Sequence, residues 1–134
     1  MRNAQSAATP SDSHPLSGAQ LSGAEMIVQV LADEGVDTIF GYSGGAILPT
    51  YDAIFRYNAD NHDQMPLIVP ANEQGAGFMA ATYGRLTGRA GVCLSTLGPG
   101  ATNLLTGVAF AQLGGMPMLA ITGQKAIRDN KQGK

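Results

Sequence analysis

The chain has 134 residues, 44% of them hydrophobic and 13% charged, with a formal net charge of −2. This length and hydrophobic content suit one domain with a single core. The charge supplies no basic field for a nucleic-acid backbone or an anionic membrane. No stretch approaches the roughly 20 apolar residues of a membrane span. We therefore expect neither nucleic acid nor membrane as a partner.

The first twenty residues are polar and lack the apolar segment of a signal peptide. We predict that residues 1–20 form a disordered tail and that the protein is cytoplasmic. The single cysteine, Cys93, lies in the apolar run GVCLST. This setting is typical of a small buried side chain rather than a reactive thiol.

The first predicted element is a helix. Ser22 and Glu25 have the spacing of a capping box at its start, and Gly35 is well placed to end it. The apolar residues recur at helical spacing, at Ala24, Ile27, Val28 and Leu31. The short apolar run DTIFG follows and indicates a buried strand.

A second helix is predicted after the turn GYSGG, with an apolar stripe at Ile47, Tyr51, Ile54 and Phe55. The alternation then continues with the strand PLIVP, a helix capped by Asn72, the strand AGVCLST, a turn and helix from GPGATN onward, and the strand PMLAIT.

Four continuous apolar strands that alternate with helices predict an α/β domain, a doubly wound parallel sheet flanked by helices on both faces. In such sheets, ligands lie outside the carboxyl ends of the strands, where the loops GYSGG, ANEQ, TLGPG and TGQ emerge. No strand or helix follows the charged segment KAIRDNKQGK, so we interpret the chain as truncated at its C-terminus.

Nucleotide and metal motifs are weak. GPGATN has Asn103 where a dinucleotide-binding turn requires its third glycine, and no P-loop pattern occurs. His14 and His62 have no other ligands at metal-binding spacings, so we predict no metal site built by this chain.

The turn GYSGG allows several interpretations. Its spacing matches the Gly-x-Ser-x-Gly pattern of serine hydrolases, with Ser43 as the nucleophile. That reaction needs a histidine, and His62, the only one downstream, lies one helix later in a polar loop. The glycines alternatively relieve crowding in the turn or let a ligand approach the backbone.

Glu73 follows a strand and opens a helix among small, uncharged neighbours. It either complements the positive end of the helix or forms a partly desolvated carboxylate that exchanges a proton with a bound heterocycle. Pro99, between two glycines, allows a flat ligand to approach the main chain. Asn103 either faces that ligand or serves the start of its helix.

Three stretches, SGAEMIVQVLADEGVDTIFGYSGGAILPTYDAIF, NEQGAGFMAATYGRLTGRAGVCLSTLGPGATNLLTGVAFA and MPMLAITGQ, together resemble the N-terminal, pyrimidine-binding domain of thiamine-diphosphate enzymes. Within that family, they resemble the large catalytic subunit of acetolactate synthase (acetohydroxyacid synthase). The resemblance covers about residues 22–124. It implies an incomplete pyrimidine-binding domain over residues 21–134, with the diphosphate-binding domain absent from the chain.

The resemblance implies that Glu73 is the catalytic residue. A glutamate at this position hydrogen-bonds the pyrimidine of thiamine diphosphate and promotes the tautomer that removes the thiazolium proton. The other implied cofactor-binding residues lie in two turns, with Tyr42, Gly44 and Gly45 in the first and Pro99, Gly100 and Asn103 in and after the second.

The implied activity is decarboxylation of pyruvate and transfer of the two-carbon unit to a second 2-oxo acid, as in branched-chain amino acid biosynthesis. The family holds the diphosphate and Mg²⁺ with a separate domain, and FAD binding stays open. We therefore expect the fragment alone to be inactive. A second copy in a homo-oligomer, or a partner with the diphosphate domain, would complete the site.

Two departures from the family pattern leave alternatives open. Ser43 stands where a proline is usual, and Asn72 precedes the glutamate where acetolactate synthases tend to have histidine. Asn72 is more like the residue in pyruvate and indolepyruvate decarboxylases. A simple 2-oxo-acid decarboxylase, a serine hydrolase using Ser43 and a non-catalytic fragment are the remaining hypotheses.

Overall fold

The computed structural model describes residues 14–126. Within that range the helices are α1 (Gly23–Asp33), α2 (Leu48–Asp60), α3 (Glu73–Thr87) and α4 (Pro99–Leu113). The strands are β1 (Ile39–Gly41), β2 (Leu67–Ile68), β3 (Gly91–Ser95) and β4 (Met118–Thr122), and a 3-10 turn at Gly45–Ile47 leads into α2. Among the described helices, none is both long and apolar enough to traverse a bilayer.

The strands form one parallel sheet in the order β2-β1-β3-β4. Side chains of α1 and α2 pack on one face, against Ile39, Val92 and Leu94. Side chains of α3 and α4 pack on the other face, against Phe40 and Cys93. The predicted doubly wound α/β fold is confirmed, with β1 and β3 buried at its centre.

The helix ends follow the predicted caps. The Ser22 hydroxyl accepts from the N–H of Glu25 at 3.2 Å, and the Glu25 carboxylate accepts from the N–H of Ser22 at 2.7 Å. Asn72 caps α3 by accepting from the N–H of Gly75 at 2.8 Å. Gly35 follows α1 with φ +73°, a conformation that glycine adopts without strain.

Part of the predicted tail lies in the described range. The N–H of Ser17 donates to the carbonyl of His14 at 2.8 Å and closes a turn. Nε2 of His14 lies 3.0 Å from a carboxylate oxygen of Asp33 at the end of α1. The remainder of the predicted disordered tail, residues 1–13, lies outside the described residues.

One packing expectation, the burial of Phe55, was wrong. Phe55 is 60% exposed, because the buried stripe of α2 runs through Tyr51 and Ile54 and Phe55 lies about 100° further round the helix. Helices cover both faces fully only at β1 and β3. The outer strands expose apolar side chains, including Ile68 on β2 and Leu119 on β4.

Beside β4 lies an apolar groove that we call the β4 edge surface. It is lined by residues of α1 and β4, namely Met26, Ile27, Val30, Leu31, Leu119 and Ile121. Among residues 14–126, no strand pairs with the outer side of β4. This surface therefore combines an unpaired strand with exposed apolar side chains.

Helices α3 and α4 approach each other closely at a pair of glycines. A Cβ placed on Gly107 would lie 2.7 Å from the Cα of Gly77, and a Cβ on Gly77 would lie 3.1 Å from the Cα of Gly107. Both distances are well below ordinary van der Waals contact. The two helices can therefore pack this closely only because both residues are glycines.

A second glycine makes room for a tyrosine. Tyr51 is 5% exposed, and its hydroxyl has no hydrogen-bond partner among the described residues. A Cβ on Gly41 would lie 2.5 Å from this hydroxyl. Burial, and then the negative charges that Cys93 and Glu73 carry when ionised, raise the pKa of Tyr51, so its phenol stays neutral.

We predict that Gly107→Ala lowers the free energy of unfolding by about 1–3 kcal/mol, because its Cβ would overlap the backbone of Gly77. The matched control is Gly75→Ala, whose Cβ would make an ordinary contact at 3.4 Å. The control should be neutral or slightly stabilising, since alanine favours helix. Urea denaturation measures both. Equal effects at the two sites would contradict the close-contact explanation.

A second prediction concerns Gly41 and Tyr51. Gly41→Ala should lower the free energy of unfolding by about 1–3 kcal/mol through its clash with the tyrosine hydroxyl. Tyr51→Phe alone should leave thermal stability unchanged or raise it, since no described group loses a hydrogen bond.

The double variant tests the clash directly. Adding Tyr51→Phe should recover part of the stability lost in Gly41→Ala, because the phenylalanine lacks the oxygen that the new methyl meets. Full recovery is not expected, since the carbonyl oxygen of Leu94 also lies 3.0 Å from that Cβ position. Strictly additive melting temperatures would show that the two residues do not interact.

Candidate functional site

The loops that leave the carboxyl ends of the strands meet at one edge, as their parallel arrangement requires. The N–H of Tyr42, after β1, donates to the carbonyl of Leu94 at 3.2 Å. The N–H of Gly123, after β4, donates to the carbonyl of Ser95 at 2.9 Å. These bonds connect the carboxyl end of β3 to the first residues after β1 and β4.

Glu73 lies at this edge as the first residue of α3, and its side chain is half-buried. The Nδ2 of Asn103 donates to Oε2 of Glu73 at 2.6 Å. No described residue donates to the other carboxylate oxygen, Oε1. The positive end of α3 favours a negative charge at this position. The site therefore contains a carboxylate held at one oxygen and available at the other.

Gly100 allows three side chains to converge. A Cβ placed on it would lie 2.6 Å from Cγ2 of Thr96, 3.0 Å from Oγ of Ser95 and 3.2 Å from Oε1 of Glu73. Any residue with a side chain would displace at least one of these groups. Gly100 is itself buried, so it belongs to the wall of the site.

The start of α4 differs from the prediction. The turn lies at Gly98, with φ +59°, and Pro99 is already the first residue of the helix. Proline suits this position because the first helical N–H has no intrahelical partner. Asn103 is therefore the fifth residue of α4. Its interpretation as a group serving the helix start is wrong, because its amide donates to Glu73 instead.

The turn after β1 is brought to the same edge. A Cβ on Gly44 would lie 2.5 Å from the side chain of Thr96, which explains why position 44 is a glycine. Tyr42 is 37% exposed, and a Cβ on Gly45 would meet nothing within 4 Å. No hydrogen bond joins these three residues to Glu73, and their binding of a cofactor stays a prediction.

The geometry does not support the serine nucleophile. Ser43 is exposed at the carboxyl edge, directly after β1 and the exposed Tyr42. His62 lies between α2 and β2, at the opposite edge, where the carbonyl of Pro66 accepts from the first residue of β1. Cys93 offers no alternative, since burial raises the pKa of its thiol to about 12.

Sequence reasoning missed two residues of the site. Ser95 is fully buried, and Thr96 lies against both Gly44 and Gly100. The available signal was a polar pair that closes the apolar run of β3. Gln124, which had no predicted role, accepts from the N–H of Lys125 at 2.9 Å and is exposed. Over residues 14–126, no three His, Cys, Asp or Glu side chains are grouped to hold a metal ion.

The arrangement suits a flat, polar heterocycle. Oε1 of Glu73 can accept a hydrogen bond from a ring N–H, and a protonated carboxyl can donate one. The surrounding wall is made of glycines and short side chains, which permits close approach to the backbone.

Comparison with known proteins identifies the family. Residues 21–134 match the family described as thiamine pyrophosphate enzyme, N-terminal TPP binding domain. The chain is 49% identical over 105 residues to the acetolactate synthase large subunit of Mycobacterium tuberculosis, which covers 78% of this chain and 16% of that protein.

Two further relatives show the same pattern. The acetolactate synthase isozyme 2 large subunit of Escherichia coli is 47% identical over 104 residues, covering 78% of this chain and 18% of the relative. The mitochondrial acetolactate synthase catalytic subunit of Saccharomyces cerevisiae is 48% identical over 104 residues, covering 78% of this chain and 14% of that protein. This chain therefore spans less than a fifth of these relatives' length. It belongs to the thiamine pyrophosphate enzyme family and carries the family's N-terminal cofactor-binding domain.

Proposed function

We propose that this chain supplies the pyrimidine-binding half of the active site of an acetolactate synthase-like enzyme. The complete enzyme would decarboxylate pyruvate and transfer the two-carbon unit to a second 2-oxo acid. The observation that carries the proposal is the Glu73 carboxylate, held at Oε2 by Asn103 and available at Oε1 beside Gly100. The acetolactate synthase relatives support the choice of reaction.

The residues of the edge fit the pyrimidine half of thiamine diphosphate. Glu73 would exchange a proton with a ring nitrogen through its available oxygen, and Asn103 would hold the carboxylate at its other oxygen. Gly44 and Gly100 would shape the wall beside the ring by making room for Thr96 and the carboxylate. The bound cofactor supplies the electron sink for decarboxylation, and the chain supplies orientation and a proton at Oε1.

The remainder of the active site is proposed to come from elsewhere. A diphosphate-binding domain would hold the diphosphate and Mg²⁺, either in a second copy or in a partner subunit. The 134-residue chain alone should therefore form no acetolactate from pyruvate. Adding a diphosphate-binding domain in trans should restore turnover if the site is shared between chains. Turnover by the chain alone would contradict this proposal.

The central test is Glu73→Gln in the polypeptide expressed from its complete reading frame. We expect a loss of pyruvate consumption of at least about 100-fold, because glutamine has the shape of glutamate but cannot exchange a proton. The assay contains thiamine diphosphate and Mg²⁺, and follows pyruvate, acetolactate and acetaldehyde. The matched control is Glu34→Gln, the same chemical change at an exposed residue beyond α1.

The identity of the product distinguishes carboligation from simple decarboxylation, the two reactions that Asn72 leaves open. Acetolactate indicates carboligation, and acetaldehyde without acetolactate indicates simple decarboxylation. Unchanged turnover in Glu73→Gln, with the control also active, would remove the proton-exchange role from Glu73.

A further inference from the structure

Ser95 is an unexpected residue in its position. It ends β3 after an apolar run, and its side chain is 0% exposed. Its hydroxyl makes one hydrogen bond among the described residues, to the carbonyl of Thr96 at 3.4 Å. That distance is beyond the usual range for a hydroxyl donor. A poorly bonded, buried hydroxyl is costly, and alanine would fit here without that cost.

The Ser95 hydroxyl and the Glu73 carboxylate both lie near Gly100. One point in space, the Cβ position that Gly100 lacks, lies 3.0 Å from Oγ of Ser95 and 3.2 Å from Oε1 of Glu73. No side chain of Gly100 therefore separates the two groups. A hydroxyl donor with a long bond and a carboxylate oxygen without a described donor therefore lie close to one point, which Cγ2 of Thr96 also approaches at 2.6 Å, and the two groups are not hydrogen-bonded to each other in the described arrangement.

Asn103 approaches the carboxylate through its other oxygen. It donates to Oε2 at 2.6 Å, which leaves the carboxylate free to rotate about that single bond. A second donor on Oε1 would fix the carboxylate plane. A carboxylate oxygen accepts more than one hydrogen bond, so this donor leaves room for a ligand at the same oxygen.

We propose that Ser95 is a positioning residue, whose side chain turns about its Cα–Cβ bond away from the carbonyl of Thr96 so that its hydroxyl donates to Oε1 of Glu73. The carboxylate is then held at both oxygens, by Ser95 from β3 and by Asn103 from α4. Because Ser95 is fully buried, it acts on a bound ligand through Glu73 and not by contact. The catalytic consequence rests on the function proposed above.

The first test is Ser95→Ala in the polypeptide expressed from its complete reading frame. We expect kcat for pyruvate to fall about tenfold, with KM for pyruvate unchanged and the protein still folded at the assay temperature. Calorimetry with thiamine diphosphate should show weaker binding. The matched control is Thr50→Val, which removes a buried hydroxyl from α2, and it should leave each quantity unchanged. Unchanged kcat and cofactor affinity in Ser95→Ala would overturn the proposal.

A second test needs no cofactor. Ser95→Ala, Glu73→Ala and the double variant form a thermodynamic cycle, measured by urea denaturation of the ligand-free protein. A hydrogen bond between the two predicts that the double variant loses less stability than the two single losses together. Additive losses, as expected for Thr50→Val with Glu73→Ala, would overturn it. Coupling without thiamine-dependent turnover would retain the hydrogen bond and reject the proposed function.

Discussion

The contact between Gly77 and Gly107 determines the geometry of the site. Glu73 lies four residues before Gly77 on α3, and Asn103 lies four residues before Gly107 on α4. Residues four apart share a helix face, so the hydrogen-bonded pair lies one turn from the glycine pair on each helix. The close approach of the backbones brings the amide and the carboxylate to 2.6 Å. Wider helix spacing would separate them.

The site is formed largely by the absence of side chains. Gly44 accommodates Thr96, and Gly100 accommodates the groups around the Glu73 carboxylate. The high glycine content of the chain therefore has a spatial explanation at the carboxyl edge of the sheet. Among the described residues of this wall, Glu73 contributes the only charge, and the positive end of α3 favours it. The carboxylate that is proposed to exchange a proton therefore lies among glycines and short side chains.

The sequence predicted the elements well because their signals are local. The capping box of α1, the Asn72 cap of α3, the glycine after α1 and the apolar strands each depend on a few neighbouring residues. The bond between Glu73 and Asn103 could not be predicted, because the two residues are 30 apart in sequence and meet only through the packing of their two helices. Ser95 was missed for the same reason. Phe55 was misplaced because helical periodicity indicates the direction of a stripe but not its width.

The β4 edge surface has a consequence for the solubility of the chain. Its unpaired backbone groups lie beside exposed apolar side chains, the combination that promotes strand pairing between separate molecules. A net charge of −2 provides little electrostatic repulsion against such association. Within residues 14–126, this edge is therefore a place where a further strand, from the same polypeptide or from another molecule, could pair. A charged substitution there would disfavour pairing between molecules without touching the Glu73 site.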